Sequence, residues 1–497
     1  MKFFISIKFL LVSLCINVSV YGQFAQTDRV ELPLVTGQSY EISALSDSSL
    51  VLYQMGRTPE NLILSFIQLD TALQKIWDGI IPINREFQFS KQYTHQQTTH
   101  FLLNSNRFEF KILSVDFKNY QYSLYDLQTL IPVNITEFKV SDYGALIGGY
   151  FNQVPIVLFF EFASGLVKVL PGLFGEQGEL NQIEFYEDGS FDILLCSRYF
   201  TKQKTIWIKS YTKQGDLANQ IPVFASDQRS LLFGRSVQIN QTQKVVVGVF
   251  GNRYSEYSKG LFIANLKDEE VTKINFYNYT DLENFFKFLK AKKEARLKTR
   301  IERRKQKGKK SHRHYRLLVH ELFSQDNQVI LLAEAFYPKY KQADNFGGYF
   351  PGMPTNGRYR SNYDRIFDGY RYTHAAVLGI DKNGNLIWDN CFEINDVKTF
   401  ELEQFVKAVP TKSKINLVYS FENTLRFKSI QGNKVIENKN TVPIKSFSQN
   451  TNIVSSENTK VTRWYGNILL AYGVQEISIN LNAATARVFF INKLESQ

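Results

Sequence analysis

Ala145-Leu146-Ile147-Gly148-Gly149-Tyr150 and, after a break of four residues, Pro155-Ile156-Val157-Leu158-Phe159-Phe160 form a pair of short apolar runs. The pair recurs as Val245-Val246-Val247-Gly248-Val249-Phe250 with Gly260-Leu261-Phe262-Ile263-Ala264. It returns as Val329-Ile330-Leu331-Leu332-Ala333-Glu334-Ala335 with Ala375-Ala376-Val377-Leu378-Gly379-Ile380, now split by a long insertion. Runs of this length between turn signals read as strands. Because they are apolar on both faces, the sheets they form must be covered on both sides. Glu187-Asp188-Gly189 and Lys382-Asn383-Gly384 supply residues that accept positive φ where hairpins need them. Asn385-Leu386-Ile387-Trp388-Asp389 then ends one unit, much as Leu73-Gln74-Lys75-Ile76-Trp77-Asp78-Gly79 ends an earlier one.

Working outward from these phrases gives units near residues 38–82, 86–133, 135–171, 181–222, 232–277, 316–394, 401–444 and 460–495. The uninterrupted ones approach the roughly 40–50-residue period of β-propeller blades. A single small sheet cannot bury both faces, whereas sheets stacked around an axis bury each face against a neighbour. The pattern predicts an all-β chain, a seven- or eight-bladed β-propeller over residues 23–497, with the strand Arg29–Leu34 completing the last blade. Two tandem β-sandwiches are the alternative. The repeated phrase and the element Asp381-Lys382-Asn383-Gly384-Asn385-Leu386-Ile387-Trp388 resemble exported bacterial β-propeller proteins, many of unassigned function, over most of the chain. Trp77-Asp78 and Trp388-Asp389 do not indicate a WD repeat, because the Gly-His element that accompanies that dipeptide is absent.

The chain has 497 residues, 44% hydrophobic and 14% aromatic, which excludes a mostly disordered protein. Its net charge of +12 is local: Lys287 to Arg316 hold fifteen Lys/Arg against two Glu. The remainder is near neutral, which weighs against a nucleic-acid wrapper. Residues 1–22 read as a signal peptide, with Lys2 and Lys8 before an apolar run at Phe9–Cys15 and a small-residue exit at Val20-Tyr21-Gly22. That run is shorter than the roughly 20 residues a membrane span needs, and no later stretch reads as one. The expected location is therefore periplasmic or outer-membrane-associated, with extracellular as the alternative. Cys196 and Cys391 then remain, both in apolar strand-like runs, and are expected as buried, unpaired thiols.

Two insertions stand out. Thr280-Asp281-Leu282-Glu283 has the form of a capping box. It predicts a helix of about 27 residues, roughly 40 Å long, ending at Gly308, within a basic insertion at 280–315. Phe286, Leu289, Leu297 and Ile301 form a weak apolar stripe interrupted by Lys290 and Lys293, so the portion from Arg296 to Lys310 is expected to project away from the body. Candidate partner-binding residues there are Arg296, Lys298, Arg300, Arg303, Arg304, Lys305, Lys307, Lys309 and Lys310. The second insertion, 336–373, reads as a loop holding eleven aromatics in 336–372. Its candidate binding residues are Tyr349, Phe350, Arg358, Tyr359, Arg360, Tyr363, Arg365 and Tyr370, since Tyr and Arg anchor binding surfaces. In a four-stranded blade, interblade connections and the loop between second and third strands leave from one face. Both insertions are therefore expected side by side on that face.

No HExxH, G-x-S-x-G, phosphate-loop or dinucleotide pattern occurs. His312, His314 and His320 have no ligand partners at metal-binding spacing, and His95 and His100 lie in a polar stretch. Asp78, Asp381 and Asp389 read as turn and strand-end residues. No cofactor or metal is expected. Asn134, Asn240 and Asn278 head glycosylation sequons that matter only in a eukaryotic host. The function expected is that of an exported, non-enzymatic scaffold presenting the basic helix and the Tyr/Arg-rich loop to a partner. That partner is an exported or outer-membrane protein, an anionic envelope polymer or a membrane surface, one version being an accessory role in an outer-membrane transport or secretion complex. The alternative is a propeller-type glycan hydrolase or lyase with its site at the ring axis, marked by carboxylates or a His/Arg cluster converging there.

Overall fold

The computed structural model describes residues 24–496 apart from 36, 174–176, 199–202, 254, 310, 343–364, 447–451 and 479–484. Eight antiparallel sheets follow one another along the chain, at residues 41–84, 88–128, 134–169, 178–223, 229–278, 316–399, 407–443 and 452–496. They are numbered here as blades 1 to 8. In seven of them strands pair in sequence order, and each first strand lies at the sheet edge that faces the first strand of a neighbouring blade, as in blades 2–3, 4–5, 5–6 and 7–8. The first strands therefore line the axis. This is an eight-bladed β-propeller, which settles the blade number and excludes tandem sandwiches.

Blade 8 is completed from the opposite end of the chain. Phe24–Pro33 pairs antiparallel with Thr485–Ser496, Val30 lying opposite Ile491. The closing strand begins five residues before the expected Arg29. Arg29 reinforces the junction by donating to Asn492 Oδ1 at 2.6 Å and Gln475 Oε1 at 2.7 Å, and Gln26 donates to the Pro443 carbonyl of blade 7 at 2.8 Å.

The core is divided into eight slabs, one between each pair of adjacent blades. Side chains alternate across a strand, and this explains the two-sided apolar runs. Ala145 and Ile147 enter the slab between blades 2 and 3, while Leu146 between them enters that of blades 3 and 4. Leu331 and Ala333 likewise face blade 5, and Ile330 and Leu332 face blade 7. Burying each such Val, Leu, Ile or Phe contributes about 1.5–3 kcal/mol. At the Lys382-Asn383-Gly384 turn, Gly384 takes φ +71° and the Asp381 carboxylate accepts from the Asn383 and Asn385 N–H groups at 2.9 and 2.7 Å. Among the described residues no helix is long and apolar enough to cross a membrane.

Candidate functional site

The basic insertion joins the last strand of blade 5, Glu270–Asn278, to the first strand of blade 6, Arg316–Val319. It does not start as a helix at Thr280. A short 3-10 turn at Tyr279–Asp281 is followed by irregular chain, and the α-helix runs only from Ala291 to Gln306. Tertiary packing overrides the local signal. Leu282, Phe285 and Phe286 are buried in the slab between blades 5 and 6. The Asp389 carboxylate accepts the Glu283 and Asn284 N–H groups at 3.0 and 2.7 Å, holding those residues out of a helical ladder. The Thr280 hydroxyl donates to the Ser311 carbonyl at 3.0 Å instead of capping, and the capping box is made by Asn278 and Asp281. Both ends of the insertion are pinned together, since Tyr315 forms a bridge with Ser258, whose hydroxyl meets the Tyr279 hydroxyl at 2.5 Å. The expected terminator does end the helix: Gly308 takes φ +63°, and the Lys309 and Gly308 N–H groups donate to the Arg304 and Lys305 carbonyls in a Schellman motif.

Nor does the helix project freely. Ile301 is buried, Leu289 and Leu297 pack on the same slab, and Lys305 reaches Asp281 at 3.1 Å. Lys298 pairs with Glu294 at 2.7 Å. The remaining cations are sorted to the other side. At 100° per residue Arg296, Arg300, Arg303 and Lys307 share one stripe about 17 Å long, all exposed, and with Arg304 they line a shallow furrow of about 460 Å³. Lys309 is exposed beyond the cap, and Lys310 lies outside the described residues.

The second insertion is paired strand at both of its ends. Strands Gln328–Gln342 and Arg365–Ile380 continue past the blade as a hairpin stem, so 336–342 and 365–373 are paired strand. Tyr349, Phe350, Arg358, Tyr359, Arg360 and Tyr363 lie outside the described residues; Arg365 opens the returning strand. Tyr370 is half-buried and packs against Phe336 and Phe367, at ring-centroid distances of 5.6 and 5.0 Å. Asp368 gathers Lys398 at 2.6 Å, Lys341 at 3.1 Å and Arg371 at 3.7 Å. The Lys398 hydrogen bond is the main cause that holds its carboxyl down at about 2. Tyr337, Tyr340 and Ile366 remain exposed on the stem, and Phe400 is exposed beside it, 6.4 Å from the Phe367 ring. Arg316, where the basic insertion returns, pairs with Phe336, where the stem leaves the blade. The two insertions thus meet at one end of blade 6.

That same face opens at the axis into a funnel of about 1120 Å³, lined by blades 3 to 6. Its rim carries two ion pairs, Lys204–Glu179 at 2.8 Å and Arg316–Glu256 at 2.5 Å. Farther along the first strands, outside the lining of this funnel, is a charged cluster that the sequence did not disclose. Lys139 of blade 3 reaches Glu321 of blade 6 at 3.5 Å, with its Nζ 5.2 Å from the centre of the Tyr93 ring of blade 2. Burial pushes Glu184 of blade 4 above the usual carboxylate range, although Lys139 and Gln182 oppose this. Burial lowers Arg235 of blade 5, which faces Glu321, Glu137 and Glu184. Burial also disfavours the charge on Lys139, but Glu321, Tyr93 and Glu184 outweigh it and raise the group. The only hint in the sequence is a charged residue near the end of the first strands of blades 3 and 4, inside that of blade 5 and just after that of blade 6, and that hint requires the blade boundaries.

Other candidates have structural places. Asp389 anchors the basic insertion, a role its position at a strand end does not suggest. Asp78 makes an exposed pair with Lys75 at 2.7 Å. His100 is buried against the Ser114 hydroxyl at 2.7 Å, and its burial lowers it to about 4; His95 lies 3.1 Å from Asp142. Cys196 and Cys391 are free and buried in blades 4 and 6, with burial raising both thiols to about 12.

No protein-family model matches the chain. No curated protein matches it. Among solved structures it is similar to dihydro-heme d1 dehydrogenase NirN in complex with DHE, at 11% identity and TM-score 0.43, over 94% of this chain and 79% of that one. It is also similar to the β-propeller domain of the Trilobed protease from Pyrococcus furiosus, at 12% identity and TM-score 0.35, over 79% and 94%. A prolyl endopeptidase is similar at 8% identity and TM-score 0.39, over 88% and 54%. These identities are too low to bear on activity. The class is that of the eight-bladed propeller closed by its N-terminal strand, and the resemblance to exported bacterial propellers extends as far as that fold.

Proposed function

We propose that the protein is an exported scaffold that binds an extended anionic polymer of the cell surface along its basic helix. The observation that carries this is the division of the helix into two sides. Leu297, Ile301 and the Lys305–Asp281 pair fix one side to the propeller, while Arg296, Arg300, Arg303 and Lys307 line the other. A rigid row of cations loses little freedom on binding a linear polyanion, and clustered like charge attracts it over about a Debye length, 8 Å at physiological salt. The hairpin stem beside it, with Tyr337 and Tyr340 exposed, extends the contact area. Location outside the cytoplasm rests on the leader-like residues 1–22, and the two buried thiols are compatible with it.

The test replaces Arg296, Arg300, Arg303 and Lys307 with Gln and measures binding of fluorescein-labelled dextran sulfate. Loss of binding with an unchanged melting temperature is the expected result. Retention of wild-type affinity overturns the proposal.

A further inference from the structure

The scaffold proposal leaves the axial funnel unused. The wall of this cavity of about 1120 Å³ carries the cations Arg198, Lys204, Arg253 and Arg316 against the carboxylates Glu179 and Glu256. Lys204 and Arg316 hold the two carboxylates, and in both pairs the cation is the inner partner. Lys204 is 27% exposed and Glu179 58%, while Arg316 is 26% exposed and Glu256 80%. Positive charge therefore sits deeper in the funnel and negative charge nearer the solvent. Ion pairs this exposed contribute little to stability, so an incoming anion displaces the carboxylates at small cost.

Two observations give the wall more positive character than the fold uses. Arg198 and Lys204 are directly opposed across the second and third strands of blade 4, a placement of like charges that costs stability. Arg198 has no ion pair or hydrogen bond among the described residues. The Arg316 Nε–H is buried without a hydrogen-bond partner, while the Tyr257 ring, its centre 4.8 Å from Cζ, steadies the guanidinium. A buried donor left unpaired calls for an explanation, and a ligand oxygen supplies one. Between the cations the wall is apolar, with the rings of Tyr150, Phe233, Tyr315 and Phe336 lining the same cavity. Apolar surface with a few placed polar groups is the usual make-up of a ligand pocket. A concave wall with one sign of charge set inward concentrates the opposite sign, and guanidinium forks fit oxyanions. These features together fit an oxyanion head on an apolar body.

We infer that the axial funnel binds a small amphiphilic anion. Its carboxylate or phosphate head is held by Arg198, Lys204 and Arg316, and its apolar body lies against Phe233, Tyr315 and Phe336. Glu179 and Glu256 act as displaceable internal competitors for the head.

The experiment is isothermal titration of the full chain with dodecanoate and dodecyl phosphate, below their micelle concentrations. Dodecyl maltoside and dodecyltrimethylammonium offer the same body with no charge or the opposite one, and inorganic phosphate is the head alone. The expected result is saturable one-to-one binding of dodecanoate, dodecyl phosphate or both, the tighter one naming the head group, with inorganic phosphate weaker by about ten-fold or more. Arg198 is exposed at a strand end, so Arg198→Gln folds, and it weakens binding by about five-fold or more. Glu256→Gln removes a competitor and tightens binding by about three-fold or more. Glu86→Gln, at an exposed carboxylate between blades 1 and 2, has no effect. Changing the four stripe cations of the helix to Gln leaves this binding intact, which separates it from the scaffold role. Four results each overturn the inference: no binding of either amphiphilic anion, equal binding of the maltoside or the ammonium, inorganic phosphate as tight as dodecyl phosphate, or indifference to Arg198→Gln or to Glu256→Gln.

Discussion

The Phe288 ring lies flat on the His374 imidazole, centroids 3.9 Å apart and planes within 5°. Phe288 belongs to the basic insertion and His374 to the third strand of blade 6, near the base of the hairpin stem. Phe285 and Tyr315 close on the same imidazole edge-on, at 4.8 and 5.8 Å. This aromatic box fixes the insertion to the blade.

It also gives the fold a dependence on pH. Burial lowers His374 to about 3. The unfolded chain takes up this proton near pH 6.5 and the folded chain only near 3. Stability from keeping His374 neutral is therefore whole above pH 6.5 and is lost as pH falls toward 3. At pH 4.5 the loss is about 2–3 kcal/mol. His374→Phe keeps the stacking and removes the proton site. Denaturant titrations at pH 7 and 4.5 are expected to show a smaller drop in this variant than in the wild type. Equal drops contradict the assignment.

Asp389 is the second anchor. Its Ala variant strands the Glu283 and Asn284 N–H groups and removes two charge-assisted hydrogen bonds, each worth about 1.5–3 kcal/mol. Trypsin, offered many Lys and Arg in this insertion, is expected to cut it at least ten-fold faster in Asp389→Ala than in the wild type. The rest of the propeller stays intact on the same gel.

The two buried thiols make a chemical prediction. With Cys196 and Cys391 raised to about 12 and buried, a thiol reagent such as Ellman's is expected to leave the native protein unmodified over minutes. In guanidinium, protein recovered from its own cell is expected to release two equivalents, and three if Cys15 and the leader are retained. Fast reaction of the native state contradicts the burial.

Ring closure is testable by truncation. Removing Phe24–Pro33 strips blade 8 of its outer strand and exposes the edge of Thr485–Ser496. A lower and broader melting transition is expected, with new hydrogen exchange concentrated in blades 7, 8 and 1. An unchanged melt shows that the closing strand is dispensable.

Much of this architecture is legible in the sequence, because stacking blades imposes the two-sided apolar runs at 145–160, 245–264 and 329–380. The helix stop at Gly308 is legible for a local reason, the need for positive φ after the last turn. The helix start is not. Thr280-Asp281-Leu282-Glu283 carries a sound capping pattern, but Asp389, about a hundred residues away, competes for the same N–H groups and wins through burial. The pairing of 336–342 with 365–372 is not legible either, because the aromatic and arginine content of the insertion reads as a loop and carries no strand alternation. The axial cluster is invisible for a topological reason: Tyr93, Lys139, Glu184, Arg235 and Glu321 lie some 40–90 residues apart and converge only when the ring closes.

The central claim is that the geometry of the cationic stripe, and not simply the charge of the insertion, binds the anionic partner. The direct measurement is the salt dependence of dextran sulfate affinity for two variants of equal charge. One has Arg296, Arg300, Arg303 and Lys307 changed to Gln; the other has Lys290, Lys298, Lys305 and Lys309 changed to Gln. Counterion release makes the slope of log affinity against log salt a count of the contacts made. The account predicts that the first variant loses most of the slope and at least ten-fold in affinity, while the second stays close to the wild type. Equal losses in both variants contradict it.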